Sequence, residues 1–476
     1  MQRARSQWWH SGNSLAKLRE GAIATTGATP KRLVAGVVFG TLLNPLNTSM
    51  IALAVVPIER DYGSGMAAAT WLISAFYLAA TVAMPVMGRL ADRFGPRRVF
   101  VSGLLLVCVT SALAPLAPNI WWLVAARVVL AIGTSVAFPA TMAIFRSALP
   151  AGPPQSAMAM VASANSASAA FGPVLGGILV QLWGWQATWL VNVPVTIVGV
   201  VLAMVLLPRP AQARGSDTAR PPARTILAEL DLPGIGVFVL AMGCTVGFLL
   251  STANDPGWLL IPVAVVGAAV LVLRELRVAN PFLDLRMLGA NRGLLMVFAQ
   301  NSTINVVFYL GFLGLPQWLQ GAREEGAGVS GMLVLPLAGI SVLALPLVTR
   351  LLRRFDERFV LTAGGLLLLC GSAGLLLVDS STPLWTLVLL TALLGLPNAF
   401  NNLGLQSMMY RAAPTEHIGI ASGLFQTFRF IGSIAASVII GLVFTHGISD
   451  AGLTTIAGIM VAMSAAVVLA NLRPRR

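Results

Sequence analysis

The run Gly88-Arg89-Leu90-Ala91-Asp92-Arg93-Phe94-Gly95-Pro96-Arg97-Arg98 sets four arginines and one aspartate between two long apolar stretches. A lone carboxylate among guanidinium groups can make and break a charge-assisted latch with a neighbouring helix end or arginine. Gly88 and Gly95 allow tight turns and close helix approach, so Gly88, Asp92, Arg93, Gly95 and Arg98 form a candidate conformational latch. Two more arginines, Arg127 and Arg429, lie inside apolar stretches. A buried cation there faces a cavity or a partner, or snorkels to an interface. Side-chain amides recur in the same setting. Asn44 and Asn47 are close in sequence, Asn301 and Asn305 share a helical face with Tyr309 a turn further, and Asn398, Asn402 and Gln426 follow. Such groups bind a solute or hydrogen-bond between helices, and both readings stay open. None of this is bond-making chemistry. The histidines, His10, His417 and His446, fall outside the apolar stretches, and no acid lies near the centre of one. No catalytic residue, metal site or enzyme activity is therefore expected.

The elements that carry these residues are membrane helices. The chain has 476 residues, 57% hydrophobic and 10% charged. That is far too little charge for a soluble surface. Apolar runs long enough to cross a hydrocarbon core recur along the chain. The expected class is an all-α membrane protein with fourteen spans: 33–56, 68–87, 99–117, 120–142, 157–181, 187–207, 232–252, 258–274, 293–314, 328–349, 359–378, 383–404, 418–444 and 451–471. An even number puts both termini on one side. Of the 31 Lys and Arg residues, 27 fall on that side, which places both termini in the cytoplasm. This lopsided distribution explains the net charge of +14 without nucleic acid. Cys108, Cys244 and Cys370 are far apart and read as core residues.

Residues 85–103 (PVMGRLADRFGPRRVFVSG) align without gaps to residues 346–364 (PLVTRLLRRFDERFVLTAG). The repeat divides the chain into a basic tail 1–32, a six-helix bundle 33–207, a Pro- and Arg-rich linker 208–231, an inserted pair 232–274, a linker 275–292, a second six-helix bundle 293–471 and a basic tail 472–476. Parallel repeats with a site at their interface are a transporter architecture.

Residues 88–98 resemble the signature loop of the major facilitator superfamily, in which this loop locks the outward-open state. The fourteen spans with an extra central pair are similar to its drug:proton antiporter branch. Gly172-Pro173-Val174-Leu175-Gly176-Gly177 resembles the antiporter motif of the exporters. Gly172-Pro173 would kink span 5, and Gly176 and Gly177 would admit a close neighbour. Arg127 with Gly133 is similar to the family's buried-arginine motif. Gln426-Thr427-Phe428-Arg429 with Gly432, Asp231 with Gly234, and Pro281-Phe282-Leu283-Asp284-Leu285-Arg286 also fit the branch.

The resemblance implies two six-helix pseudo-repeat bundles plus two central helices, with spans 1, 4, 9 and 12 around the substrate. It implies export of a drug, antibiotic or secondary metabolite across the cytoplasmic membrane by alternating access, as proton-coupled antiport. The alternative is a facilitator or importer of a neutral or anionic metabolite. The expected partners are a small-molecule substrate, protons and the bilayer, with no nucleic acid and a monomeric state. No cofactor is expected. A proton gradient or the membrane potential supplies the drive, since no phosphate-binding loop for ATP appears. Asn47 stands where the exporters carry an acid on the first span, and Leu130 and Ala131 depart from the buried-arginine motif. The cavity then offers positive charge without negative charge. Neutral, zwitterionic or anionic substrates suit it better than lipophilic cations.

Overall fold

The structure, a computed structural model, describes residues 30–148, 155–208, 232–251, 257–278, 286, 289, 291–413, 418–445 and 447–472. The tail 1–29, most of both linkers, Asp231, residues 281–285, His10, His417, His446 and the side chains of Asp92 and Arg93 lie outside the described residues.

The helices are α1 (Pro30–Tyr62), α2 (Met66–Phe94), α3 (Pro96–Leu113), α4 (Ile120–Ser135 continued as Ala137–Ala148), α5 (Gln155–Trp183) and α6 (Gln186–Leu190 continued as Asn192–Leu206). Then follow α7 (Leu232–Leu249), α8 (Leu260–Glu275), α9 (Arg292–Gly321), α10 (Ala327–Arg354), α11 (Glu357–Leu375), α12 (Leu384–Ala412), α13 (Ile418–Val443) and α14 (Asp450–Leu472). Thirteen spans among the described residues are long and apolar enough to cross a membrane. The expected fourteenth, in α7, is apolar but shorter (Pro233–Leu249).

Several helices outrun their apolar cores, because a helix keeps its own backbone hydrogen-bonded where the chain meets water. α1 was expected to stop at residue 56 but continues to Tyr62. Its polar last turn is held by tertiary bonds. Arg60 donates to the Gln320 carbonyl, Asp61 accepts from Trp185 Nε1 at 2.6 Å, and the Tyr62 hydroxyl donates to the Ala117 carbonyl. The run 88–98 is also mostly helix rather than loop. α2 continues to Phe94, and α3 begins at Pro96. Gly95 alone makes the break, with φ +93°. Proline at the first helical position restarts the helix without a lost hydrogen bond. The second copy of the repeat solves the turn differently. Asp356 has φ −65° and caps α11 with its own side chain, accepting from the Glu357 amide.

Gly95→Ala should therefore be purely a backbone experiment, since a Cβ there would meet nothing within 4 Å. The expected loss is about 1–3 kcal/mol of stability. Thermal unfolding of the purified variant checks it; an unchanged midpoint would refute the strain.

The first six helices pack on one another, as do the last six, with α1 on α5 and α6, α2 on α4, α9 on α13 and α14, and α10 on α12. The repeat is visible in the packing. Gly103 of α3 lies against Gly133 and Val136 of α4, and its counterpart Gly364 of α11 lies against Phe400 and Asn401 of α12. Contacts at one end tie α3 to α6 through Arg97 and the Met204 carbonyl, and α11 to α12 through Glu357 and Arg411 at 3.0 Å. This is the basic end. Trp185–Asp61 and Trp318–Asp450 tie helices together at the opposite end. The pair α7–α8 sits outside both sets, against α2 and α13. Between it, α2 and α4 runs an apolar groove of about 1200 Å³.

Candidate functional site

The two halves meet through α5 on α10, α2 on α13 and α1 on α9. The α5–α10 contact is made by glycine. A Cβ on Gly177 would lie 2.3 Å from the Ala327 carbonyl oxygen, and one on Gly331 would lie 2.3 Å from the Pro173 carbonyl oxygen. Gln181 accepts from the Gly328 amide at 3.1 Å in the same seam. The other glycines of the motif serve a different contact. Gly172 is pressed against Ser49 and Gly176 against Met50, both on α1. So residues 172–177 seat α5 within its own half by two glycines and against the other half by a third.

On the other side of the molecule, α2 meets α13 through Ser74 and Ser437 at 2.7 Å, and Gly441 packs on Thr70. These residues, with Arg60–Gln320, lie between mid-helix and the opposite end. The halves are thus joined at the end away from the basic turns.

At the depth of Tyr77 the join is aromatic. Its ring stands edge-on to Tyr309 at 5.5 Å and tilted to Phe430 at 5.8 Å. Tyr77 is 1% exposed. Arg127, 3% exposed, donates from Nε to the Leu72 carbonyl at 3.0 Å. Its guanidinium lies 4.5 Å over the Phe76 ring and 5.8 Å from Trp189. Cation–π contact and a helix carbonyl replace part of its lost hydration. Arg429 of α13 is half-buried.

The amides divide. Asn47 is buried and exchanges two hydrogen bonds, each 2.9 Å, with Asn192 of α6, and also donates to the Leu43 carbonyl. Asn301 donates to the Phe425 carbonyl of α13, and Asn305 donates to Asn301. These three are used between or along helices of one half, because each faces a neighbouring helix of its own bundle. Asn44 reaches Thr134 of α4 at 3.4 Å. Asn398, Asn402, Gln426 and Arg429 stay partly accessible. Gly88 lies near Pro139, and Arg98 is exposed. Asn192, Gln181 and Gly331 went unrecognised in the sequence. Asn192 was detectable as a polar residue inside an apolar span; the other two had no distinguishing signal.

Residues 37–437 match the description Major Facilitator Superfamily. The chain is 34% identical over 434 residues to "Uncharacterized MFS-type transporter YwoD" of Bacillus subtilis (strain 168), covering 91% of this chain and 94% of that protein. It is 28% identical over 425 residues to the "Tetracenomycin C resistance and export protein" of Streptomyces glaucescens, covering 87% and 76% respectively. Among solved structures, the nucleoside transporter NupG superposes with a TM-score of 0.65 at 12% identity, covering 93% of this chain and 99% of that one. With two six-helix sets meeting at one end and the match spanning both, the chain belongs to the Major Facilitator Superfamily.

Proposed function

We propose that this protein exports small organic molecules across the cytoplasmic membrane by alternating access. One observation carries the reading: the halves are joined by Gly177–Ala327, Pro173–Gly331 and Tyr77–Tyr309, away from the basic end. The basic end holds the short arginine-rich turns and is taken as cytoplasmic. The seal then faces outward, which is the inward-open state that alternating access visits in either direction of transport. The names of relatives support export: one is a tetracenomycin C resistance and export protein, and another a methylenomycin A resistance protein. Drive comes from the proton gradient or the membrane potential without a cofactor, and Asp92 or Asp231 is the candidate proton carrier. An organic anion leaving an inside-negative cell gains about 2.3 kcal/mol per charge per 100 mV. The second reading, a facilitator or importer of a neutral or anionic metabolite, is favoured by one feature, the amide at Asn47 where the exporters have an acid.

The test is growth inhibition by a broad compound panel in an efflux-deficient host expressing this chain or Asp92→Asn at equal level. Protection against some compounds, lost in the variant, is expected. Protection against nothing would end the export reading and favour the second.

A further inference from the structure

We infer that the groove between the inserted pair and the first bundle is a lipid site. It holds the acyl chains of one outer-leaflet phospholipid, with the glycerol esters at the outer mouth, away from the basic turns. This goes beyond the transport reading and does not depend on the direction of transport.

The walls come from α2, α4, α7 and the start of α8, and among the described residues no charged side chain lines them. Along α2 the groove runs from Ala67 to Met87. That is about 30 Å of helix, the thickness of a bilayer's hydrocarbon core. Each end is marked by residues of the headgroup region. At the outer end Trp121 and Trp258 are 57% and 65% exposed. Trp121 lines the groove, and Trp258 lies between two lining residues, Gly257 and Leu259. Tryptophans in this setting sit at headgroup level. At the other end Arg89 is exposed, two positions past Met87. The groove therefore lies at hydrocarbon depth, where there is no water to fill it.

Its size selects the occupant. Another helix of this length, about 10 Å across, would need about 2400 Å³. The groove offers about 1200 Å³. A hydrocarbon chain roughly 5 Å across needs about 600 Å³ over the same length, so two lie abreast. The inserted pair touches the bundles through Gly247 against Trp71 and Leu250 against Gly441, both toward the outer end. Deeper in, Val239 of α7 and Val82 and Val86 of α2 line the groove. Lipid chains there supply the packing that joins the pair to the first bundle.

The polar groups of the wall are confined to the outer end: Ser64, Ser251 and the indoles of Trp71 and Trp121. They are neutral hydrogen-bonding groups, suited to ester and phosphate oxygens and indifferent to headgroup charge. The two chains of the phospholipid reach the midplane from this mouth, and inner-leaflet chains continue along Val82 to Met87. The site bears on the join between the halves. One face of α2 carries Thr70, Ser74 and Tyr77, which meet the second half, and the adjoining face carries Ala75, Ala79 and Val82 of the groove. The lipid thus backs the helix that makes the join.

The test uses the delipidated full chain in detergent and three probes: dioleoylphosphatidylcholine, dioleoylphosphatidylglycerol and 1-methylnaphthalene. Native mass spectrometry counts the bound lipids, and the thermal midpoint reports their effect on the fold. The first phosphatidylcholine should bind at least about tenfold more tightly than the next and raise the midpoint. Ala79→Phe and Val82→Phe fill the groove from α2 and should each weaken that first lipid about tenfold, with elution volume unchanged. Both positions line open space, so both variants should fold. Leu377→Phe, at a position 85% exposed on the second bundle, is the control and should bind the first lipid as wild type does. Phosphatidylglycerol should match phosphatidylcholine within about threefold. The inference is overturned if no lipid stands apart from the next, or if both groove-filling variants keep the first lipid. A tenfold preference for phosphatidylglycerol would put the headgroup beside Arg89 and overturn the outer-leaflet assignment. Displacement of the first lipid by 1-methylnaphthalene at equal concentration would make the groove a port for apolar solutes and end the inference.

Discussion

Gly331→Val is expected to prevent the halves from closing at the end away from the basic turns and to cut transport at least about tenfold. The added Cβ would sit 2.3 Å from the Pro173 carbonyl oxygen and 3.4 Å from the Gly177 Cα, both backbone atoms that no rotamer change can move. Overpacking of this kind costs about 1–3 kcal/mol. It is paid only in the joined state, so the population shifts about 5- to 150-fold toward the separated one. A cysteine introduced at Ser74, buried beside Ser437 in the other seam, reports the change. Its labelling by a water-soluble thiol reagent should accelerate in Gly331→Val. Gly339→Val, on the same helix with nothing within 4 Å, is the control and should change neither transport nor labelling. Equal labelling in wild type and Gly331→Val would mean that the α5–α10 contact does not hold the joined state.

Asn47→Asp restores the acid that exporters carry at this point, and it is expected to destabilise rather than to add proton coupling. Asn47 Nδ2 donates to both the Leu43 carbonyl and Asn192 Oδ1, at 2.8 and 2.9 Å. A carboxylate would turn an acceptor toward those two acceptors in a site where residues 47 and 192 are 3% and 0% exposed. The loss should be about 1–3 kcal/mol if the acid takes up a proton, and larger if it stays ionised. Asn47→Leu and Asn192→Leu singly each leave an amide unsatisfied, while the double variant removes both needs and should recover most of the loss. The thermal midpoints of the four proteins form the cycle. If Asn47→Asp unfolds at the wild-type temperature and transport acquires a new pH dependence, the amide pair is not structural.

Much of this architecture was legible in the chain. Expected spans coincide with observed helices because apolar length and internal hydrogen bonding are both local properties. The alignment of residues 85–103 with 346–364 pairs Gly103 with Gly364, and the two occupy matching helix contacts. Helix ends were less legible. Charged residues such as Arg60 and Asp61 read as loop, yet bonds to Gln320 and Trp185 keep them in the last turn of α1. Gly95 was recognised as a turn residue, but the compression of the turn to one residue was not.

The sequence by itself determined the helices, their arrangement as two sets of six with an added pair, and the lack of an acid near the centre of any expected span. Only the tertiary structure decided which groups are spent inside a bundle and which face the join. Asn47 looked like a cavity residue until Asn192, 145 positions away, was found against it. Nothing in the sequence joined Tyr77 to Tyr309 and Phe430, which close on it from the other half. A membrane helix satisfies its backbone from its own residues, so its existence is written locally. What its side chains do depends on the neighbour each face meets, and that is set by packing between residues hundreds of positions apart.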